Sequence, residues 1–363
     1  MSITKNIIYA LTTAIGLMTA ASCIDEEPYV NTPEGNFEAL WKLIDERYCF
    51  FEYKEKKLGI DWDSIHDEYK RRITPKMDNY QLFEVCCDML SELKDGHVNL
   101  SAAFDIGREW SYYEPYPENF DQQIQQNYLG TDYKIASGLK YKILDDNIGY
   151  VYCESFNDAI GDGNLSYMLD ALSTCTGLIV DIRNNGGGRI STAHQLASRF
   201  TNEKKLIGYM SHKTGKGHYD LSDPEPVYME PSDGIRWQKN TVVLTNRRCF
   251  SAANDFVKCM KTCPNVTILG DYTGGGSGMP FTQEIPCGWS VRYSAVIIYD
   301  KDMNHTEFGI EPDIKAGMEE EDMRKGKDTI IEKAREFLKE EASKNNCQDT
   351  SVVKRQSKTN CNI

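Results

Sequence analysis

The chain is short of positive charge: 41 Lys and Arg stand against 55 Asp and Glu, a formal net charge of −14. Phosphate backbones would repel such a surface, which excludes general nucleic-acid binding. No apolar run reaches the roughly 18–20 residues of a spanning helix, which excludes a multi-pass membrane protein. No CxxC pair or cysteine–histidine cluster offers zinc-ligand spacing, although there are 12 cysteines. What is present is a hydrophobic share of 40% and an aromatic share of 11%. That is enough for a buried core and excludes wholesale disorder. A length of 363 residues suggests two domains, or one large domain with an accessory part.

The N-terminus reads as a targeting segment. Lys5 is followed by the apolar stretch Ile7 to Ala21, too short to span, and then by Ala20-Ala21-Ser22-Cys23. This resembles a bacterial lipobox, with Ala20 where a Leu is usual. The resemblance implies that residues 1–22 are a signal peptide and that Cys23 is lipidated; an ordinary signal peptide is the alternative. Residues 23–34 would be a tether, and the protein an exported lipoprotein of the cell envelope, at the periplasmic face or cell surface, held to the membrane by its lipid. Cys86 and Cys87 are adjacent, Cys153 lies in a strand-like run, and Cys259 and Cys263 are four apart on a helix-like stretch. These positions read as buried reduced thiols rather than a disulfide framework.

Helical spacing starts at Phe37, Leu40, Trp41, Ile44 and Tyr48, and recurs near 61–72 and 78–94, so residues 35–100 read as a small helical subdomain. Residues 101–140 are aromatic and irregular. From 148 onward, strand-like runs (148–156, 177–183, 241–246, 266–270, 289–299) alternate with helical ones (163–173, 190–200, 251–262, 327–342), which predicts an α/β domain over 101–325. Residues 213–240, rich in Gly, Pro and Asp, read as a mobile cover, and 326–363 as a C-terminal helix and polar tail.

Four places in this frame carry residues suited to chemistry. Asp95-Gly96-His97 puts a His after a Gly turn, either projecting into a cleft or held structurally. DIRNNGGG (181–188) follows an apolar strand, and its glycines let backbone N–H groups approach a ligand closely. It is not G-x-G-x-x-G and no Walker lysine follows, so nucleotide binding is poorly supported. In TNRRCFSAANDF (245–256), Ser251 opens a helix, where a Ser either caps N–H groups or acts as a nucleophile. Its CFSAA context lacks the glycines of an α/β-hydrolase elbow. GDYTGGGSG (270–278) adds a second Gly-rich turn, and TEFGIEPDI (306–314) offers Glu307 and Glu311.

In this order and spacing, DGHV, DIRNNGGG, SAANDF, GDYTGGG and GIEPD resemble the tail-specific, or C-terminal processing, serine peptidases, in particular their tricorn-like branch, over residues 35–325. The resemblance implies a ClpP/crotonase-like α/β catalytic domain behind the small N-terminal helical subdomain. It implies a serine-type peptidase acting on peptides or on protein C-termini, needing no metal or cofactor. One version of the family serves its Ser with a Lys in a T-x-G-K-G turn; the matching residue here is Gly276, which has no amine. The other uses Ser, His and an acid, matched by Ser251, His97 and Glu307. Ala252 and Gly187, with Gly186 as an alternative, would supply the oxyanion N–H groups. In tricorn a Ser precedes the His, where Gly96 stands here. A His base implies a pH limb near the ordinary range of about 6–7. The competing reading is a ligand- or peptide-binding protein on the same fold. Oligomeric state is open.

Overall fold

The computed structural model describes residues 29–359, with side chains described to 344. The expected signal segment and Cys23 lie outside the described residues. Four helices come first: α1 (Pro33–Arg47), α2 (Phe51–Leu58), α3 (Trp62–Lys70) and α4 (Asn79–Ser91). Local chemistry sets their starts. Thr32 caps α1 with Pro33 following, and Asp78 with Gln81 forms a reciprocal capping box on α4. Their apolar faces meet in one core around Phe37, Leu40, Ile44, Phe51, Trp62 and Leu90.

That core is shared rather than private. Trp289, Val291, Tyr293 and Ile297 of β11 (Ser290–Tyr299) and the turn before it complete it. Strand β11 is the spine of an antiparallel sheet. It pairs with β1 (Asn99–Ser101), β10 (Gly278–Glu284) and β6 (Lys205–His212), and β6 pairs with β7 (Glu225–Met229). The helical segment therefore leans on a strand nearly two hundred residues away in sequence, and a boundary at 100 cuts through β1. The segment 213–240, expected as a mobile cover, contains β7 and is partly tied into this sheet.

The second sheet has seven strands. β4 (Ile148–Cys153), β5 (Gly177–Asp181), β8 (Thr241–Thr245), β9 (Val266–Gly270) and β12 (Ile314–Lys315) run parallel, and β2 (Lys134–Ala136) and β3 (Leu139–Ile143) extend it antiparallel. The residues of β4, β5 and β8 are all buried. Continuous apolar strands of this kind need cover on both faces. One face carries α6 (Asp162–Ala171), α7 (Ile190–Ala197) and α8 (Ala252–Met260). The other carries α5 (Gln122–Leu129) and the start of α10 (Thr329–Thr359), which follows the short α9 (Glu320–Arg324). No helix among the described residues is long and apolar enough to cross a membrane. The nine described cysteines are all unpaired, and seven are buried.

Candidate active site

The parallel strands deliver the first half of the site. After β8 the chain turns through Asn246–Phe250 and enters α8 at Ala252, with Ser251 at the capping position. Ser251 does not cap: its side chain accepts no helix N–H, and its backbone sits at φ 58°, ψ −121°. A non-glycine residue there is strained, and the surrounding structure must hold it. Its N–H donates to Gly275 O at 2.9 Å, and Phe250 N–H donates to Asn185 O at 3.1 Å. The strain aims Oγ away from the helix and toward His97, with Ser251 Oγ and His97 Nε2 2.9 Å apart.

The turn after β5 fits closely against the serine. A Cβ on Gly187 would lie 2.8 Å from Ser251 Cβ and 2.9 Å from Ala252 N, and φ is +100°. Only glycine fits. The Asn and Arg side chains of DIRNNGGG are its staples. Asn184 and Asn246 bond reciprocally, Asn185 Nδ2 donates to Cys153 O, and Arg183 is fully buried between Asp181 and Asp328. Gly187 was expected to offer its N–H to an oxyanion; instead it donates to Asn185 Oδ1 at 2.9 Å. A neighbouring amide had already satisfied that donor. The N–H of Ala252, at the first turn of α8, and the open face of Gly186, where an added Cβ meets nothing within 4 Å, remain beside the serine.

The second half comes from the helical segment. Asp95, Gly96, His97 and Val98 form a turn in which Asp95 Oδ1 accepts the His97 N–H at 2.8 Å. The other Asp95 oxygen accepts from Tyr48 and Ser294, both at 2.9 Å. A side chain at residue 96 is sterically barred: its Cβ would lie 2.9 Å from both the Phe250 and the Tyr112 rings. Those rings stack at 4.3 Å, and Phe250 backs the imidazole. Two aromatic rings therefore fill the space that a side chain at residue 96 would need.

Glu307 and Glu311 separate cleanly. Glu311 is exposed and pairs with Lys315 at 2.7 Å. Glu307 is buried, accepting from Ser277 N–H at 2.8 Å and from the buried Lys54 ammonium at 3.2 Å. It does not touch His97. The imidazole Nδ1 has no hydrogen-bond partner among the described residues. Lys54 also donates to Lys94 O at 2.9 Å, next to Asp95.

Electrostatics ranks the two acids. Burial works against the Asp95 carboxylate, but Lys54, His97 and the Ser294 hydroxyl outweigh it and hold its pKa below the ordinary value. Burial and the charge of Asp95 raise Glu307, against the pull of Lys54. Asp95 is therefore the acid that stays charged, and it is the group that most favours a protonated His97. Burial nonetheless pushes His97 down to about 4, with Arg292 and Lys54 adding to the effect. The imidazole is neutral, and able to accept a proton, well below the expected 6–7 range.

Sequence reading missed Lys54, Asn185 and the part played by Asp95. Asp95 stood in the quoted DGH motif; Lys54, 253 residues from its partner, left no local trace. Among the described residues one grouping has metal-ligand chemistry, His194, Asp255 and Cys259. Asp255 there already holds His194 and the Lys258 ammonium, each at 2.6 Å.

A strained serine at a strand–helix junction, within hydrogen-bond reach of a neutral buried histidine, is the arrangement of serine hydrolases. Comparison with known proteins narrows the class. Residues 147–316 match peptidase family S41, and residues 29–91 match the tricorn protease C1 domain. A solved Parabacteroides merdae chain, provisionally assigned as a peptidase, is 51% identical, with a TM-score of 0.81 over 85% of this chain and 97% of that one. The carboxy-terminal processing protease CtpA of Bacillus subtilis is 26% identical over 202 residues; the match spans 54% of this chain and 40% of that protein. Mature CPAF shares the fold at 13% identity, with a TM-score of 0.65 over 86% of this chain and 96% of that one. The chain belongs to peptidase family S41, the tail-specific serine peptidases.

Proposed function

We propose that this protein is a serine peptidase that hydrolyses peptide bonds in peptides or near protein C-termini. Ser251 Oγ attacks the scissile carbonyl while His97 Nε2 takes its proton, then passes it to the leaving amine. A water molecule deprotonated by His97 next attacks the acyl-enzyme and releases Ser251. The Ala252 N–H, with a second donor from the Gly186–Gly187 turn, holds the oxyanion; Gly187 serves only if its amide leaves Asn185. Glu307 acts at a distance: it fixes the Lys54 ammonium, whose charge helps keep Asp95 ionised, and Asp95 supplies the negative charge that favours the imidazolium. The observation that carries this reading is the 2.9 Å Ser251–His97 contact, made by a serine whose backbone strain frees its hydroxyl from capping. Replacing Ser251 with Ala and digesting a peptide library, read by mass spectrometry, tests it. Cleavage should fall by several orders of magnitude with the fold retained; unchanged cleavage would overturn the assignment.

We also propose that the protein is exported and lipid-anchored through Cys23, a reading supported by the N-terminal residues. Cys23→Ala should move it from the membrane fraction to the soluble one; a wild-type chain already soluble after export contradicts the anchor.

A further inference from the structure

Beside Ser251 lies a cavity of about 300 Å³, lined by Ile190, Met279, Pro280 and Ile298, with Arg292 and Asp255 as its charged residues. The two charges differ in state. Asp255 is neutralised from behind by Lys258 and His194. Arg292, partly buried on β11, makes no ion pair among the described residues; its one polar side-chain contact there is Asn99 Oδ1, at 3.4 Å. Asp95 attracts it but lies beyond ion-pair distance and is already saturated by His97 N–H, Tyr48 and Ser294. Burial disfavours the Arg292 charge. A desolvated guanidinium without a counter-ion, in a strongly acidic chain, is unfavourable unless something anionic completes it.

We propose that Arg292 determines specificity by taking a substrate carboxylate, either an acidic side chain or the free C-terminal carboxylate, into the cavity next to the scissile bond. The cavity suits that group. Its apolar walls pack the methylenes of the incoming residue, and the planar guanidinium offers paired N–H donors to the carboxylate. The inference rests on the peptidase reading for its place beside the scissile bond, but not for the anion contact itself.

The test uses matched peptides in which Glu is exchanged for Gln at each position around the cleaved bond, and the C-terminus is free acid or amide. Wild type should prefer the carboxylate form by about 10- to 100-fold in kcat/KM, the range of a charge-assisted pair. The position that carries the preference says which source the carboxylate has. In Arg292→Gln the preference should collapse toward one, and Arg292→Glu should turn it toward Lys. A preference that survives Arg292→Gln overturns the inference. Affinity of the same peptides for the Ser251→Ala variant, by fluorescence anisotropy, separates the two readings. Carboxylate-dependent binding that needs Arg292 supports the inference even if wild type cuts nothing; binding indifferent to the carboxylate refutes it.

Discussion

The serine side and the histidine side of this site are built by different physics. Ser251 is set by backbone: a buried parallel strand, a Gly-rich turn packed against its Cβ, and main-chain bonds from Ser251 to Gly275 and from Phe250 to Asn185. His97 is set by buried charge and its hydrogen bonds, with Asp95, Lys54, Glu307, Tyr48 and Ser294 converging from four stretches of chain. The backbone-held half tolerates little change in residue size, since glycines line it. The charge-held half tolerates little change in charge, since each acid depends on one ammonium.

Mutations should expose that contrast. The largest effect is expected at His97. His97→Ala should lower kcat/KM nearly as far as Ser251→Ala, since the two act as one unit; a double variant much slower than either single one would show independent roles. Lys54→Met comes next. It leaves two buried carboxylates facing each other and should destabilise the fold by about 3–5 kcal/mol in denaturant unfolding, with activity lost alongside. Stability within about 1 kcal/mol of wild type would mean that the network does not hold the site. In the His97 turn itself, Gly96→Ser pushes into Phe250 and Tyr112 and should cost about 1–3 kcal/mol. If that variant gains activity without losing stability, the rings are not the reason for the glycine. Smaller still, Glu307→Gln should lower kcat with KM held, whereas Glu311→Gln, at an exposed pair, should change neither measurably; the reverse order would reassign the acid.

The charge side also makes a pH prediction. With His97 near 4, kcat/KM should rise through about pH 4 and be level above about 6. An inflection at 6.5 or higher would place the imidazole in a wetter setting. His97 and His305 are both lowered to about 4 by burial, so between pH 6.5 and 4 the unfolded chain binds more protons than the folded one. The contribution of these two histidines is therefore whole above 6.5 and falls with acid across that window, by up to about 1.4 kcal/mol per pH unit for each, while the raised Glu307 carboxyl works in the opposite direction above its ordinary value.

The same division explains what was readable from the chain. The parallel strands and their helices announced themselves through apolar runs and Gly turns, and the serine side was legible within a few residues of Ser251. Strands β6, β7 and β10 were not, because Gly208, Pro226 and Pro280 interrupt their alternation. Glu307 was preferred over Glu311 because Gly309 and Pro312 turn the chain away at Glu311; Glu307 is the buried acid of the two, but it pairs with Lys54 and Ser277 rather than orienting His97 directly. Its partner did not appear, because an ion pair between residues 54 and 307 leaves no periodicity or motif. The expected His pKa failed for the same reason: burial at 1% exposure belongs to the assembled fold, not to the DGH turn.

The most direct test is to treat the folded protein with a fluorophosphonate and map the adduct by peptide mass spectrometry. The account predicts one adduct per chain, on Ser251, absent in Ser251→Ala and slowed at least about a hundredfold in His97→Ala. An adduct elsewhere, or equal labelling without His97, would contradict the pairing on which the account rests.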